Sequence, residues 1–400
     1  MLLRLRVRMI VSVPQTVKGD FLRTVYYVGY YDAAENAEEN RNYVLSASNK
    51  MTYICRALNN IGCQVQLLSA SATKNTSAYP AKDIAISDMT TLHLFKTAPW
   101  GNKLRRIYST LSLRARLLFA LMRVKKNTPV MVYHSLALMH TVRLAKRLRR
   151  FPLVLEVEEI YADVLQNAAK RRQELRFFKC ADAFVFPTAL LDEPCNPKEK
   201  PFAVIHGTYQ CEPPIGTRFD DGKIHCVYAG TLDPRKGGAT AAVAAGEFLD
   251  ARYHIHILGF GSDADKAALL DQIERVNAQA GCSVTYDGVK SGEDYVRFLQ
   301  SCDLGLSTQT PDAAFNATSF PSKILSYMAN GLRVVSIRIP AIEGSAVGKY
   351  MYYYDEQTPQ KIAAAIMAAG SDDGYDGRAV LKTLDAAFQE DMKKVLGDIL

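Results

Sequence analysis

Two short stretches of this 400-residue chain place lysine beside glycine or proline where an apolar run gives way to a helical pattern. The first, Gly230-Thr231-Leu232-Asp233-Pro234-Arg235-Lys236-Gly237-Gly238, follows HCVYAG and precedes an Ala-rich segment. A helix N-terminus presents unpaired N–H groups and a partial positive charge, and glycines allow close backbone approach, so this junction suits a pyrophosphate. Lys236 adds a full charge. The same residues also read as a turn carrying two solvated cations. The second stretch is Phe320-Pro321-Ser322-Lys323. Ser322 can cap the helix that follows and Lys323 can reach an anion, or the stretch is an ordinary Pro-started helix with a surface lysine. Gly259-Phe260-Gly261 ends a third apolar run and offers another close approach. It is not a dinucleotide fingerprint, and no Walker lysine motif is present.

Acidic chemistry is concentrated at Glu158 and Glu159, which close the run LVLEVEEI. A tandem acidic pair at a strand end is costly unless solvated or paired, which places it on a cleft or on a solvated rim. None of the eight cysteines forms a Cys-x-x-Cys pair, so they read as reduced, buried thiols. No His/Cys cluster is evident, and no metal is expected.

The elements that must position these groups alternate. TVYYVGYY, QVQLLSA, PVMVYHS, LVLEVEEI and DAFVFPT read as strands of a first half, with helical patterns between them. HCVYAG, HIHILGFG, VTYDG, LGLST and RVVSIRI do so in a second half. Short apolar strands alternating with helices predict an α/β protein with parallel, doubly wound sheets in both halves. The expected division is an N-terminal domain over 1–205, a C-terminal domain over 206–375 and a last helix over 376–400. Ligands then belong at the carboxyl ends of the strands, between the domains.

Charge is lopsided. Residues 1–200 hold 31 Lys and Arg against 16 Asp and Glu, and residues 201–400 hold 18 against 25. No acid occurs between Asp88 and Glu156, a stretch with fourteen basic residues. Such a field calls for an anionic partner. Over 104–126, Leu104, Ile107, Tyr108, Leu111, Ala115, Leu118 and Met122 are expected to face inward along one helical stripe, with arginines outward toward anionic lipid, and a second basic helix extends this surface to 150. No nucleic-acid-binding motif is present, so no nucleic-acid partner is expected. No apolar run approaches the roughly 20 residues of a membrane span, and MLLRLRVRMIVSV reads as a basic leader or strand rather than a signal peptide. A cytoplasmic, peripherally membrane-associated protein is therefore expected.

The stretches YAGTLDPRKGG, HILGFGSD, YDGVKSGEDYVRFLQSCDLGLST and SFPSKILSYMANGLRVVS, in that order and spacing over about 224–340, resemble the nucleotide-binding domain of family 4 retaining glycosyltransferases. NRNYVLSASNKMTYICRALNNIG, YHSL and EVEEIYADV resemble the N-terminal half more loosely, in the pattern of bacterial exopolysaccharide or capsule enzymes. The resemblance implies a GT-B fold and transfer from a nucleotide-diphosphate sugar, a UDP-sugar before a GDP-sugar, with no cofactor. It implies that Lys236 neutralises the leaving diphosphate, with Gly230 in the same motif. Thr231 stands where the family has arginine, with Arg235 as a substitute. The family's paired glutamates fall on Thr318 and Ser326, which leaves Ser326 for a ribose hydroxyl and Lys323, beside Pro321 and Ser322, for the diphosphate. The loop at Val289 and Lys290 matches the segment that contacts the base. His134 matches a histidine facing the donor sugar, one of Glu158 and Glu159 would orient the acceptor hydroxyl, and Asn40, Arg41 and Asn42 are the acceptor-binding candidates. The mechanism implied is metal-free front-face attack by a lipid-linked glycan acceptor. The missing glutamates keep open a catalytically silent GT-B partner of another transferase. A GT-B sugar-nucleotide epimerase is also open.

Overall fold

The computed structural model describes residues 23–311, 320–372 and 374–399. The basic leader and Thr318 lie outside the described residues.

Eight strands build the first sheet: β1 Arg23–Gly29, β2 Cys63–Ser69, β3 Lys82–Ser87, β4 Thr90–Leu94, β5 Val130–Tyr133, β6 Leu153–Glu156, β7 Ala183–Phe186 and β8 Phe202–Val204. Their order is β3-β4-β2-β1-β5-β6-β7-β8. All neighbours are parallel except β3 and β4. β6 and β7 are buried at every position, as strands covered on both faces must be, whereas the edge strand β3 alternates between half-buried and exposed.

The second sheet holds β9 Ile224–Thr231, β10 Tyr253–Phe260, β11 Ser283–Gly288, β12 Leu304–Ser307, β13 Arg333–Ile337 and β14 Tyr352–Tyr354, in the order β11-β10-β9-β12-β13-β14. All its pairs are parallel. The chain leaves β9 toward β10 on one side and reaches β12 on the other, so the crevice outside the carboxyl ends of β9 and β12 is a topological switch point. Gly259 serves this geometry. Its φ is +151°, and a Cβ there would lie 1.7 Å from the Gly230 carbonyl oxygen, so only glycine lets the ends of β9 and β10 approach.

The helix Gly377–Asp398 returns to the first half. Tyr53, on the helix Leu45–Asn60, donates to Asp385 at 2.5 Å and stacks on Phe388 at 6.0 Å. His206 bridges the halves from the other side. Its Nδ1–H donates to the Pro187 carbonyl at 2.7 Å and its Nε2 accepts from the Ala346 N–H at 3.1 Å. Burial pushes its pKa down to about 4, which keeps this connection neutral.

The helix Lys103–Met122 departs from the expected stripe. Its buried face is Ser109, Leu113, Leu117 and Leu121. Leu104, Ile107, Tyr108, Leu111 and Ala115 face solvent instead, because the helix is rotated to dock its C-terminal leucines against the sheet.

Candidate functional site

Two cavities meet between the sheets. The smaller, about 510 Å³, lies at the carboxyl ends of β9 and β12. Gly230, Thr231, Lys236, Pro321, Ser322, Lys323 and Ser326 all line it, so both lysine motifs open on one space. The larger, about 910 Å³, takes Lys50, Tyr133, Glu158 and Glu159 from the first half and shares Phe320, Ser322 and Ser326 with the smaller.

Lys236 sits at the end of a 3-10 turn, Pro234–Lys236, and the helix Gly238–Ala245 follows. Lys323 opens the helix Lys323–Ala329. It is part-exposed as a residue, but its ammonium lies 4.3 Å from the centre of the Tyr228 ring. Desolvation, then repulsion by Lys236, pull its pKa down to about 8. Among the described residues neither lysine has a carboxylate partner. Two cations sharing a pocket without a counter-ion form a receptor for a multivalent anion.

Two lining groups escaped the sequence reading. Gln309 is buried beside the small cavity, and its Nε2 is enclosed with no hydrogen-bond partner among the described residues. Tyr295 pairs its hydroxyl with Ser326 Oγ at 3.3 Å. Tyr295 lies on the helix Gly292–Ser301 and Gln309 follows β12 by two residues, and neither carries a charge or a glycine that would mark it in the sequence.

Other expectations are corrected. Arg235 points away. Asp233 grips its guanidinium through both carboxylate oxygens, the shortest contact being 2.7 Å, and it does not line the pocket. Ser322 makes no side-chain cap and lines both cavities instead. Gly259, Phe260 and Gly261 stay outside the pocket: Gly259 packs on Gly230, Gly261 on Leu232, and Phe260 is exposed. Val289 lines a separate depression with Lys290 and Phe219.

On the acceptor side, Glu158 pairs with Lys50, a residue with no sequence signal, and both line the large cavity with Glu159. Burial, then the neighbouring charge of Glu158, raise the Glu159 pKa. Beneath them Glu156 is fully buried and accepts from the Tyr27 hydroxyl. Desolvation holds its pKa up at about 8, so it is protonated at neutral pH.

His134 lines neither cavity. It is 1 % exposed, enclosed by Tyr161, Phe177 and Phe178, and its Nε2 bonds Glu174 at 2.6 Å. The chain turns inward after Tyr133, so the neighbour rather than the histidine meets the cleft. Arg41 is likewise interior, paired with Glu39 at 2.7 Å and donating to the carbonyls of Ser71 and Phe95. Asn40 and Asn42 flank it at the surface and line neither cavity. The histidines of the second sheet also cluster, although no cluster is evident in the sequence. His225, His254 and His256, apart in sequence, converge on the second sheet with ligand atoms within 4.8 Å of one another.

Residues 223–372 match the family described as glycosyl transferases group 1. No curated protein matches the sequence. Among solved structures, the chain is similar to one described as trehalose-6-phosphate from E. coli bound with UDP-2-fluoro glucose, with 11% identity, a TM-score of 0.64, and 94% of this chain and 99% of that chain covered. It is similar to sucrose-phosphate synthase from Thermosynechococcus elongatus, with 12% identity, a TM-score of 0.60, and coverage of 93% and 98%. It is also similar to Anabaena HepE in complex with UDP, with 10% identity, a TM-score of 0.59, and coverage of 94% and 100%. At these identities the likeness is one of fold: two Rossmann-like domains in the GT-B arrangement.

Proposed function

We propose that this protein is a retaining, metal-independent glycosyltransferase that moves a sugar from a nucleotide-diphosphate donor, a UDP-sugar before a GDP-sugar, to a lipid-linked glycan in cell-surface polysaccharide assembly. The observation that carries the reading is the cationic pocket of Lys236 and Lys323, neither paired with a carboxylate among the described residues, at the switch point of a sheet that matches glycosyl transferases group 1. Two of the similar structures, described as holding UDP-2-fluoro glucose and UDP, support a uridine donor.

In this reading the diphosphate lies between the two lysines, and Ser326 meets the ribose. As the bond from the anomeric carbon to the β-phosphate oxygen breaks, negative charge grows on that oxygen, and the lysines stabilise it. The acceptor hydroxyl attacks from the same face and its proton passes to the departing phosphate. Glu158, Glu159 and Lys50 border the cavity where the acceptor waits, and their charges orient its hydroxyl.

The membrane reading rests on the helix Lys103–Met122. Leu104, Ile107, Tyr108, Leu111 and Phe119 are exposed beside Arg105, Arg106 and Arg116, and Leu144 and Leu148 of the next helix continue the patch. Exposed apolar groups among arginines suit the interface of an anionic bilayer on the cytoplasmic side. No helix among the described residues is long and apolar enough to cross a membrane.

The absence of a carboxylate among the described residues lining the small cavity favours one second reading, a donor-binding but silent partner of another transferase. Transfer assays with UDP-sugars and membrane-extracted lipid acceptors decide between them. A transferase turns over and loses activity at least a hundredfold in Lys236→Ala and Lys323→Ala. Binding of UDP without any transfer by the wild type refutes the enzymatic reading.

A further inference from the structure

The cluster at the amino ends of β9 and β10 poses a hydrogen-bond problem that two neutral imidazoles cannot solve. His256 Nδ1 lies 3.0 Å from Asp287 Oδ2, and His225 Nε2 lies 2.8 Å from Asp221 Oδ1. Ionised carboxylates only accept, so each ring spends its single N–H outward. Asp287 is already oriented by the Thr285 hydroxyl, which donates to it at 2.9 Å. The remaining nitrogens, His225 Nδ1 and His256 Nε2, then face each other at 2.9 Å with both lone pairs turned inward. A positive centre must sit between them.

We infer that this centre is a divalent cation of the zinc class, held by His225, His254 and His256. Each ring supplies one nitrogen within 4.8 Å of the others. Zinc–imidazole bonds of about 2.0–2.1 Å set ligand nitrogens about 3.3 Å apart, so the 2.9 Å pair opens by a few tenths of an ångström. His254, whose ring stacks on His256 at 4.1 Å and whose Nε2 lies 3.1 Å from the Thr285 hydroxyl, turns toward the ion. The carboxylates on the far nitrogens of His225 and His256 are the partners that fix tautomer and ring direction in metal-ligating histidines. A set of three imidazoles suits zinc, copper or nickel rather than magnesium or calcium. The pocket is otherwise dry. His225 and His256 are 2 % and 4 % exposed, and the Phe219 ring covers both at 4.2 and 5.3 Å. His254 is half-exposed, which leaves the fourth coordination position open to water.

The site is separate from the donor pocket. His225 and Gly230 lie at opposite ends of β9, five residues or about 16 Å apart at ~3.3 Å per residue. The ion therefore clips β9 to β10 and stabilises the second sheet without touching the transfer chemistry.

Metal-depleted full-length protein would be titrated with Zn²⁺ by calorimetry, with Co²⁺ absorption as a spectroscopic check and UDP binding as the control for an intact donor site. The expected result is one Zn²⁺ per chain, a raised melting temperature and unchanged UDP affinity. His254→Ala, at the half-exposed position, and His256→Gln should abolish tight uptake, and Asp287→Asn should weaken it about ten- to a hundredfold. A folded wild type that takes up Zn²⁺ no better than His256→Gln overturns the inference. So does a metal-free pair sharing a proton, seen as a low-field imidazole N–H resonance that persists in excess Zn²⁺.

Discussion

Replacing Lys323 with methionine keeps the length of the side chain and removes its charge. The ammonium falls from an ordinary 10.5 to about 8 because the pocket desolvates it and Lys236 repels it. At about 1.36 kcal/mol per pH unit, that depression corresponds to a folded-state cost of about 3 kcal/mol. Water entering the open cavity and the Tyr228 ring reduce the net figure to about 2 kcal/mol. Lys323→Met should therefore be more stable than the wild type at pH 7, with a melting point higher by on the order of 5 °C for a domain of this size. The sign of the pH dependence is set by the same depression. Below about pH 8 the lysine is charged in both states and the whole cost is present. Between pH 8 and 10.5 the folded protein releases its proton before the unfolded chain does, so wild-type stability rises and the gap closes. The function runs the other way. UDP at about a hundred times its Kd should stabilise the wild type by ~2.7 kcal/mol, and the variant should bind it ten- to a hundredfold more weakly through the lost charge-assisted contact. Differential scanning fluorimetry at pH 7 and pH 10, with and without UDP, reads all of this. A variant no more stable than the wild type at pH 7, or one that keeps full UDP affinity, refutes the account of Lys323 as a buried cation held ready for an anion.

Two further outcomes follow from the same structure. Glu156 holds a proton in the fold up to about pH 8 that the unfolded chain releases near 4.5, so stability falls as pH climbs through that window; urea titrations should show Glu156→Gln gaining on the wild type toward alkaline pH, and a constant gap would show that the carboxyl is not protonated. Changing Leu111 and Phe119 together to glutamate puts two negative charges into the exposed apolar patch; co-sedimentation with phosphatidylserine vesicles should drop several-fold at unchanged melting temperature, and undiminished sedimentation would remove this helix from the membrane contact.

The second half was the more legible in sequence. Its central strands β9, β10, β12 and β13 are mostly buried runs, each followed by a helix or a 3-10 turn, and its lysine motifs lie at the junctions where local chain geometry puts backbone N–H groups and side chains at a strand's carboxyl end. That is why Gly230, Thr231, Lys236, Pro321, Ser322, Lys323 and Ser326 meet in one cavity. The hairpin of β3 and β4 gives little sequence signal although KDIAIS alternates, because a polar edge strand carries a weaker apolar pattern than a central one. β14, the three tyrosines at 352–354, is shorter than any window over which a period can be read.

The fold class, the meeting of both lysine motifs at one switch point and the charge asymmetry of the two halves were legible in the sequence, because each follows from local pattern and composition. Tertiary structure alone decided which way side chains at those positions face. His134 and Arg41 turn into the interior, where Glu174 and Glu39 compensate them. Arg235 folds back on Asp233. The arginine-flanked helix shows lipid-sized side chains to solvent because packing, not periodicity, chose its rotation. The three histidines of β9 and β10 are 29 and 31 residues apart along the chain and become neighbours only through parallel register, His254 opposite His225. Pairing across a sheet is a long-range property, and no local spacing encodes it.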